Sequence, residues 1–110
     1  MAVTVKNIIP RKQLESTQSG QYTAPTTAVI DKFTVTNTSA AVASFSVNLV
    51  AQSGTPGNDN LVLNDRQLSP KETYTCPELV GQVLQAGGFI STIASAANAL
   101  TVSASGREIT

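Results

Sequence analysis

The stretch FTVTNTSAAVASFSVNLV, residues 33–50, decides the fold class. Its second half alternates. Ala43, Phe45, Val47, Leu49 and Ala51 are apolar, and Ser44, Ser46 and Asn48 between them are small and polar. A period of two places the sets on opposite faces of a β-strand. The polar face holds no Lys, Arg, Asp or Glu, although such residues are common where a strand faces water. What that uncharged face meets is the question the sequence raises.

Working outward, residues 27–38 predict a second strong strand. Val29, Phe33 and Val35 share one face with Asp31, and Ile30, Lys32, Thr34 and Thr36 share the other. The turn-forming run at residues 37–41 predicts that these two strands form an antiparallel hairpin. Residues 3–9 alternate and are β-branched, and Pro10 is expected to end that strand because proline donates nothing to a ladder. Residues 11–24 read as a loop or extended arm, with a short strand near residues 21–23. QSGTPGNDN, residues 52–60, is a loop by its Gly, Pro and Asn/Asp content. Short strands are predicted at residues 61–63 and 66–68, broken near Asn64-Asp65, and at residues 71–76. PELVGQVL, residues 77–84, is the one helix candidate: Pro77 suits the first helical position and Glu78 the positive end of the helix dipole. Gly87-Gly88 is a turn, and residues 89–95 and 100–105 read as a last strand pair.

These signals predict an all-β protein: a single β-sandwich or jelly-roll-like domain at residues 21–110, with one short helix, preceded by an N-terminal strand and arm at residues 1–20. The expected core is Val29, Phe33, Val35, Phe45, Val47, Leu49, Phe89 or Ile90, Leu100 and Val102, the bulky apolar positions of the strongest strands.

The chain has 110 residues, of which 41% are hydrophobic and only 13% charged, and its net charge is zero. An average soluble domain carries roughly 25% charged residues. Eleven serines and fourteen threonines supply much of the polarity instead. Zero net charge gives no general attraction to nucleic acid or to an anionic membrane, and neither is expected as a partner. The first ten residues lack the pattern of a secretory signal, so synthesis and folding in a cytoplasm are expected.

The chemistry is sparse. Histidine is absent, which removes the commonest general base and zinc ligand. Cys76 is the one cysteine, without a partner for a disulfide or a metal. The seven acids, Glu15, Asp31, Asp59, Asp65, Glu72, Glu78 and Glu108, show no pattern of a catalytic pair. Asn58, Asp59 and Asn60 with Asn64 and Asp65 offer oxygens of the kind calcium takes, but their spacing matches no EF-hand and a solvated turn accounts for them. Asn37-Thr38-Ser39 fits a glycosylation acceptor, but in the absence of a secretory signal it reads as a hairpin turn. Lys6, Arg11 and Lys12 make the start mildly basic. Five aromatics, Tyr22, Phe33, Phe45, Tyr74 and Phe89, give no stacking platform for nucleic acid. No catalytic, cofactor-binding or metal-ligating residue is assigned, no cofactor is expected, and the chain is read as a non-enzyme.

The order of YTAP at residues 22–25, VIDKFTVTNTS at 29–39, a Ser-Gly loop running into Asn60-Leu61, LSPKETYTCPELVGQVLQAGG at 68–88 and ASGREI at 104–109 resembles small β-sandwich virion proteins of tailed bacteriophages. The resemblance spans residues 22–109. It implies a structural subunit of the particle: capsid decoration or cement, or a component of the neck or tail. It also implies a homo-oligomer that contacts other virion proteins. Uncharged strand faces suit that role, because the centres of protein interfaces are depleted in Lys, Glu and Asp. The competing expectation is a carbohydrate-binding module of a tail fibre or cell-surface protein. That reading calls for an exposed aromatic or bound calcium near residues 54–60.

Overall fold

The computed structural model describes residues 2–110. The chain forms β1 (Val3–Gln13), β2 (Ser19–Thr23), β3 (Thr27–Asn37), β4 (Ala43–Val50), β5 (Leu61–Leu68), β6 (Thr73–Tyr74), β7 (Val83–Leu84), β8 (Phe89–Ala94) and β9 (Leu100–Ile109). The first sheet runs β1-β9-β3-β6, with β7 also on β3, and the second runs β2-β8-β4-β5. All pairings are antiparallel. The sheets close on Phe33, Val35, Leu100 and Val102 from the first and on Phe45, Val47, Leu68 and Ile90 from the second, all essentially inaccessible to water. An all-β sandwich is the observed architecture.

The helix expected at residues 77–84 is absent. Residues 77–81 form a turn and Val83–Leu84 is a strand. Gly81 adopts a φ of 88°, outside the helical range. Its N–H donates to the carbonyl of Ile30 at 2.7 Å, and Gln82 O accepts from Ile30 N at 3.0 Å. The segment thus trades a one-turn helix for sheet hydrogen bonds, while Leu79 and Leu84 enter the core.

Neither expected hairpin forms. β3 lies in the first sheet and β4 in the second, and β8 and β9 are likewise divided. Asn37 explains the first crossing. It is fully buried. Its Nδ2 donates to Ala41 O (2.8 Å) and Leu68 O (3.0 Å), and its Oδ1 accepts from Ser39 N (2.9 Å) and Ser39 Oγ (2.7 Å). One amide therefore satisfies the corner at which the chain changes sheets.

A bulge corrects the expected core at Val29. Ile30 pairs with Gly106 and Lys32 with Ser105, so Asp31 is an extra residue on β3. Before it Ala28 and Ile30 face inward; after it Phe33, Val35 and Asn37 do. Val29 is therefore turned outward and only half-buried. Leu49 and Phe89 are also half-buried, and Ile90 takes the core position. The break expected near Asn64-Asp65 is a bulge inside the continuous β5, with Asp65 at a φ of 50°.

Pro10 does not end the first strand. β1 continues through it to Gln13. Its sole sheet partner is β9, so β1 is an edge strand and proline at an edge removes no needed ladder bond. Register shifts between Lys6 and Ile9 and between Ile9 and Lys12 accompany the burial of two consecutive residues, Ile8 and Ile9. The strand pairs in cis along the whole of β9, from Val3 opposite Ile109 to Gln13 opposite Thr101.

Candidate functional site

On the second sheet the uncharged face of β4 is used by the chain itself. Ser46 and Asn48 are buried, at 7% and 4% exposure. Ser46 Oγ accepts the N–H of Asp65 at 2.9 Å, capping the bulge in β5. Asn48 Nδ2 donates to Gly57 O (3.0 Å) and Asn60 Oδ1 (2.7 Å), and Asn60 in turn holds Gly57 N and Thr55 O. The loop at residues 51–60 is thereby folded back over the sheet. Charged side chains at these positions would lose hydration on burial. A depression of about 210 Å³ remains there, lined by Gln18, Asn48, Asn58 and Ile93 among others, with no aromatic in its wall.

On the first sheet the polar face stays open. Thr36 pairs with Thr101, Thr34 with Ser103 and Lys32 with Ser105; the outward threonines and serines form rows of half-exposed hydroxyls, and Lys32 beside them is exposed. Thr36 and Thr73 hydroxyls meet at 2.9 Å. Toward the other end of this face the rows become apolar. Val5, Arg107, Val29 and Val83 stand side by side across four strands, and Val3 stands beside Ile109. Arg107 forks onto Asp31 with contacts of 3.0–3.2 Å. At the margin lies a depression of about 340 Å³ lined by Asp31, Lys32, Thr34, Thr75, Pro77 and Val80.

The remaining candidate residues are dispersed. Cys76 is buried, and desolvation pushes its thiol up to about 12, so it stays protonated and inert at neutral pH. Five of the seven acids accept from donors of the fold: Asp31 from Arg107, Glu15 from Lys12 and Gln21, Glu72 from Ser69 N, Glu78 from Tyr74 and Glu108 from Tyr22. Asp59 and Asp65 are exposed, one in the β4–β5 loop and one in β5. Among the described residues no group of three or more His, Cys, Asp or Glu is placed to hold a metal ion. No helix of the described residues is long and apolar enough to cross a membrane. Tyr74 lies under the Arg66 guanidinium at 4.0 Å, away from the loop at residues 54–60.

Glu108 belongs to a cross-sheet clasp. Tyr22 on β2 donates its hydroxyl to Glu108 on β9, and Lys6 on β1 lies 3.4 Å from the same carboxylate oxygen. The Tyr22 hydroxyl and then Lys6 hold the Glu108 carboxyl below its ordinary range, while burial and then Glu108 hold the tyrosine above its own. A carboxylate whose pKa is depressed on folding adds stability above its unfolded pKa and loses it as the pH falls. Glu15 and Glu78 are shifted the same way, by Lys12 and Tyr74 respectively. Melting temperature should therefore fall from about pH 5 downward. Glu108→Gln should weaken that acid dependence, as read from thermal melts across pH. Identical acid profiles for variant and parent would show that the clasp carries no linkage.

No protein-family model matches the chain, and no curated protein matches it. Among solved structures, a chain in the structure of infectious bursal disease virus, Gx strain, is similar with a TM-score of 0.46 and 14% sequence identity. The match covers 96% of this chain and 31% of that one, so this chain spans about a third of the length of that neighbour.

The apolar end of the first sheet is not legible in the sequence. Val3 and Val5 belong to a strand whose faces do not announce their partners, and Val80 and Val83 fell in the expected helix. The outward turn of Val29 depends on a bulge that no local residue signals.

Proposed function

We propose that this chain is a non-enzymatic structural subunit of a virus particle, more finely of a tailed bacteriophage, that associates with copies of itself and with capsid, neck or tail proteins. The observation that carries this reading is the open outer face of the first sheet, built from Thr34, Thr36, Thr101 and Ser103. Hydroxyls of this size give a flat surface that approaches another protein closely and loses little by desolvation, unlike a surface of Lys and Glu. The order of short sequence elements at residues 22–109 supports the finer assignment. Five of the seven acids are engaged by donors of the fold, as with Glu15, Glu78 and Glu108, which supports the non-enzymatic reading. The carbohydrate-binding alternative has less behind it, since Asn48 and Asn60 hold the loop rather than present amides to a ligand.

Mass spectrometry of purified particles from the virus encoding this sequence tests the proposal. The chain should be present in the particles and remain through density-gradient purification. Its absence from intact particles would refute the virion role.

A further inference from the structure

We infer that the valine-rich end of the outer face of the first sheet is where two copies of this chain pair about a two-fold axis. The inference rests on the self-associating subunit proposed above and names its contact surface. Five large apolar side chains are exposed among the described residues: Val3, Val5, Val42, Val80 and Val83. Four of them, all but Val42, lie on this one face or along its margin. Val5 is 77% exposed and Val83 49%. They terminate a row completed by Arg107 and Val29, in which each residue is directly opposite the next across a strand pair. Cβ atoms of opposite residues are about 4.5–5.5 Å apart, so Val29 adjoins Val83, while Arg107, held by Asp31, stands between them and Val5. Exposed valines gathered on one face around a single neutralised ion pair mark an interaction surface more than the same residues scattered singly would.

The occupant follows from charge, area and symmetry. The charges inside the patch are those of Arg107 and Asp31, which neutralise one another through a bidentate contact. Covering them leaves no unpaired ion. Lys32 stands at the margin, where its long stem carries the ammonium to the rim. A partner of either net charge gains nothing here; a second copy of the same neutral, apolar surface does. A two-fold contact brings the same patch from both molecules together and requires it to be self-complementary, as apolar side chains on a flat sheet are. The molecule measures 46 × 26 × 19 Å, so its broad face accommodates the roughly 800 Å² per partner of a standard interface. Threonine and serine beyond the valines permit sheets to approach to about 10 Å. Pairing through the free edge of β1 is the poorer solution. Pro10, two register shifts and Lys6, Arg11 and Lys12 all lie along that edge, and such features deter strand addition.

Sedimentation velocity over a concentration series tests this on the full chain. The parent protein should show a reversible monomer–dimer equilibrium. Val83→Glu and Val5→Glu should each weaken it by about tenfold or more, because each puts into the contact a carboxylate that must be desolvated. Gln67→Glu, on the outer face of the second sheet opposite Ser44, should leave it unchanged. Circular dichroism melts establish that each variant is folded. A parent that stays monomeric, or a dimer that both valine variants leave intact, overturns the pairing surface. So does a dimer that Gln67→Glu weakens equally. Particle composition is a separate readout: a chain present in virions yet monomeric alone refutes this contact and leaves the virion role standing.

Discussion

Phe45→Ala should destabilise the protein by about 3–5 kcal/mol. Phe45 is the third residue of β4, 1% exposed, opposite Ala94 on β8 and Arg66 on β5. It and Phe33 are the largest fully buried side chains, one from each sheet. Truncation removes apolar surface from the interior and leaves a cavity that flanking strands fill poorly, because their hydrogen bonds fix their spacing. For a domain of this size each 1 kcal/mol lowers the melting temperature by roughly 4–8 °C. A loss of that size against net stabilities of about 5–15 kcal/mol should leave the variant marginal. Urea denaturation of parent and variant gives the measurement. A midpoint within experimental error of the parent would mean that the ring is not in the core.

Gly106→Ala should cost about 3 kcal/mol, at the upper end for inserting one methyl group into a packed interior. Gly106 is buried on β9 where β3 bulges at Asp31. A Cβ built there falls 2.2 Å from the Val29 carbonyl oxygen and 3.5 Å from Ile30 Cα. These are backbone atoms of the adjacent strand, so no side-chain rotation relieves the clash. β9 and β3 would have to separate, and both are central strands of the first sheet. Gly20→Ala is the control. No atom lies within 4 Å of the added Cβ, and its effect should stay within about 0.5 kcal/mol. Equal stabilities for the two alanine variants would refute the close approach of β9 to the bulge.

These two sites differ in how far the sequence discloses them. Phe45 is legible because alternation over residues 43–50 is local: each residue's face follows from its neighbours by the pleat of the strand. The same holds for Leu100, Val102 and Ala104, which face inward as their period requires. The all-β class follows from such runs together with their turn residues. Gly106 is different. ASGREI contains nothing to show that another strand's carbonyl occupies the place of a side chain.

Partner choice among the strands belongs to tertiary structure. The run at residues 37–41 signals a change of direction, but an identical signal serves a hairpin or a corner between sheets. The buried amide of Asn37, held by Ala41, Leu68 and Ser39, selects the corner. Gly81 and Pro77 mark a turn or a short helix equally, and the edge of β3 decides between them by offering Ile30 as donor and acceptor. The fate of the uncharged face of β4 is settled in the same way. Composition determines that it carries hydroxyls and amides; the return of the β4–β5 loop onto Asn48 determines that they are consumed internally. The open hydroxyl and valine rows lie instead on the first sheet, assembled from β1, β3, β7 and β9, segments distant along the chain. A residue's period is a property of the strand it belongs to. Which strands lie beside it, and which face remains uncovered, depends on long-range hydrogen bonds and packing that no local run of residues encodes.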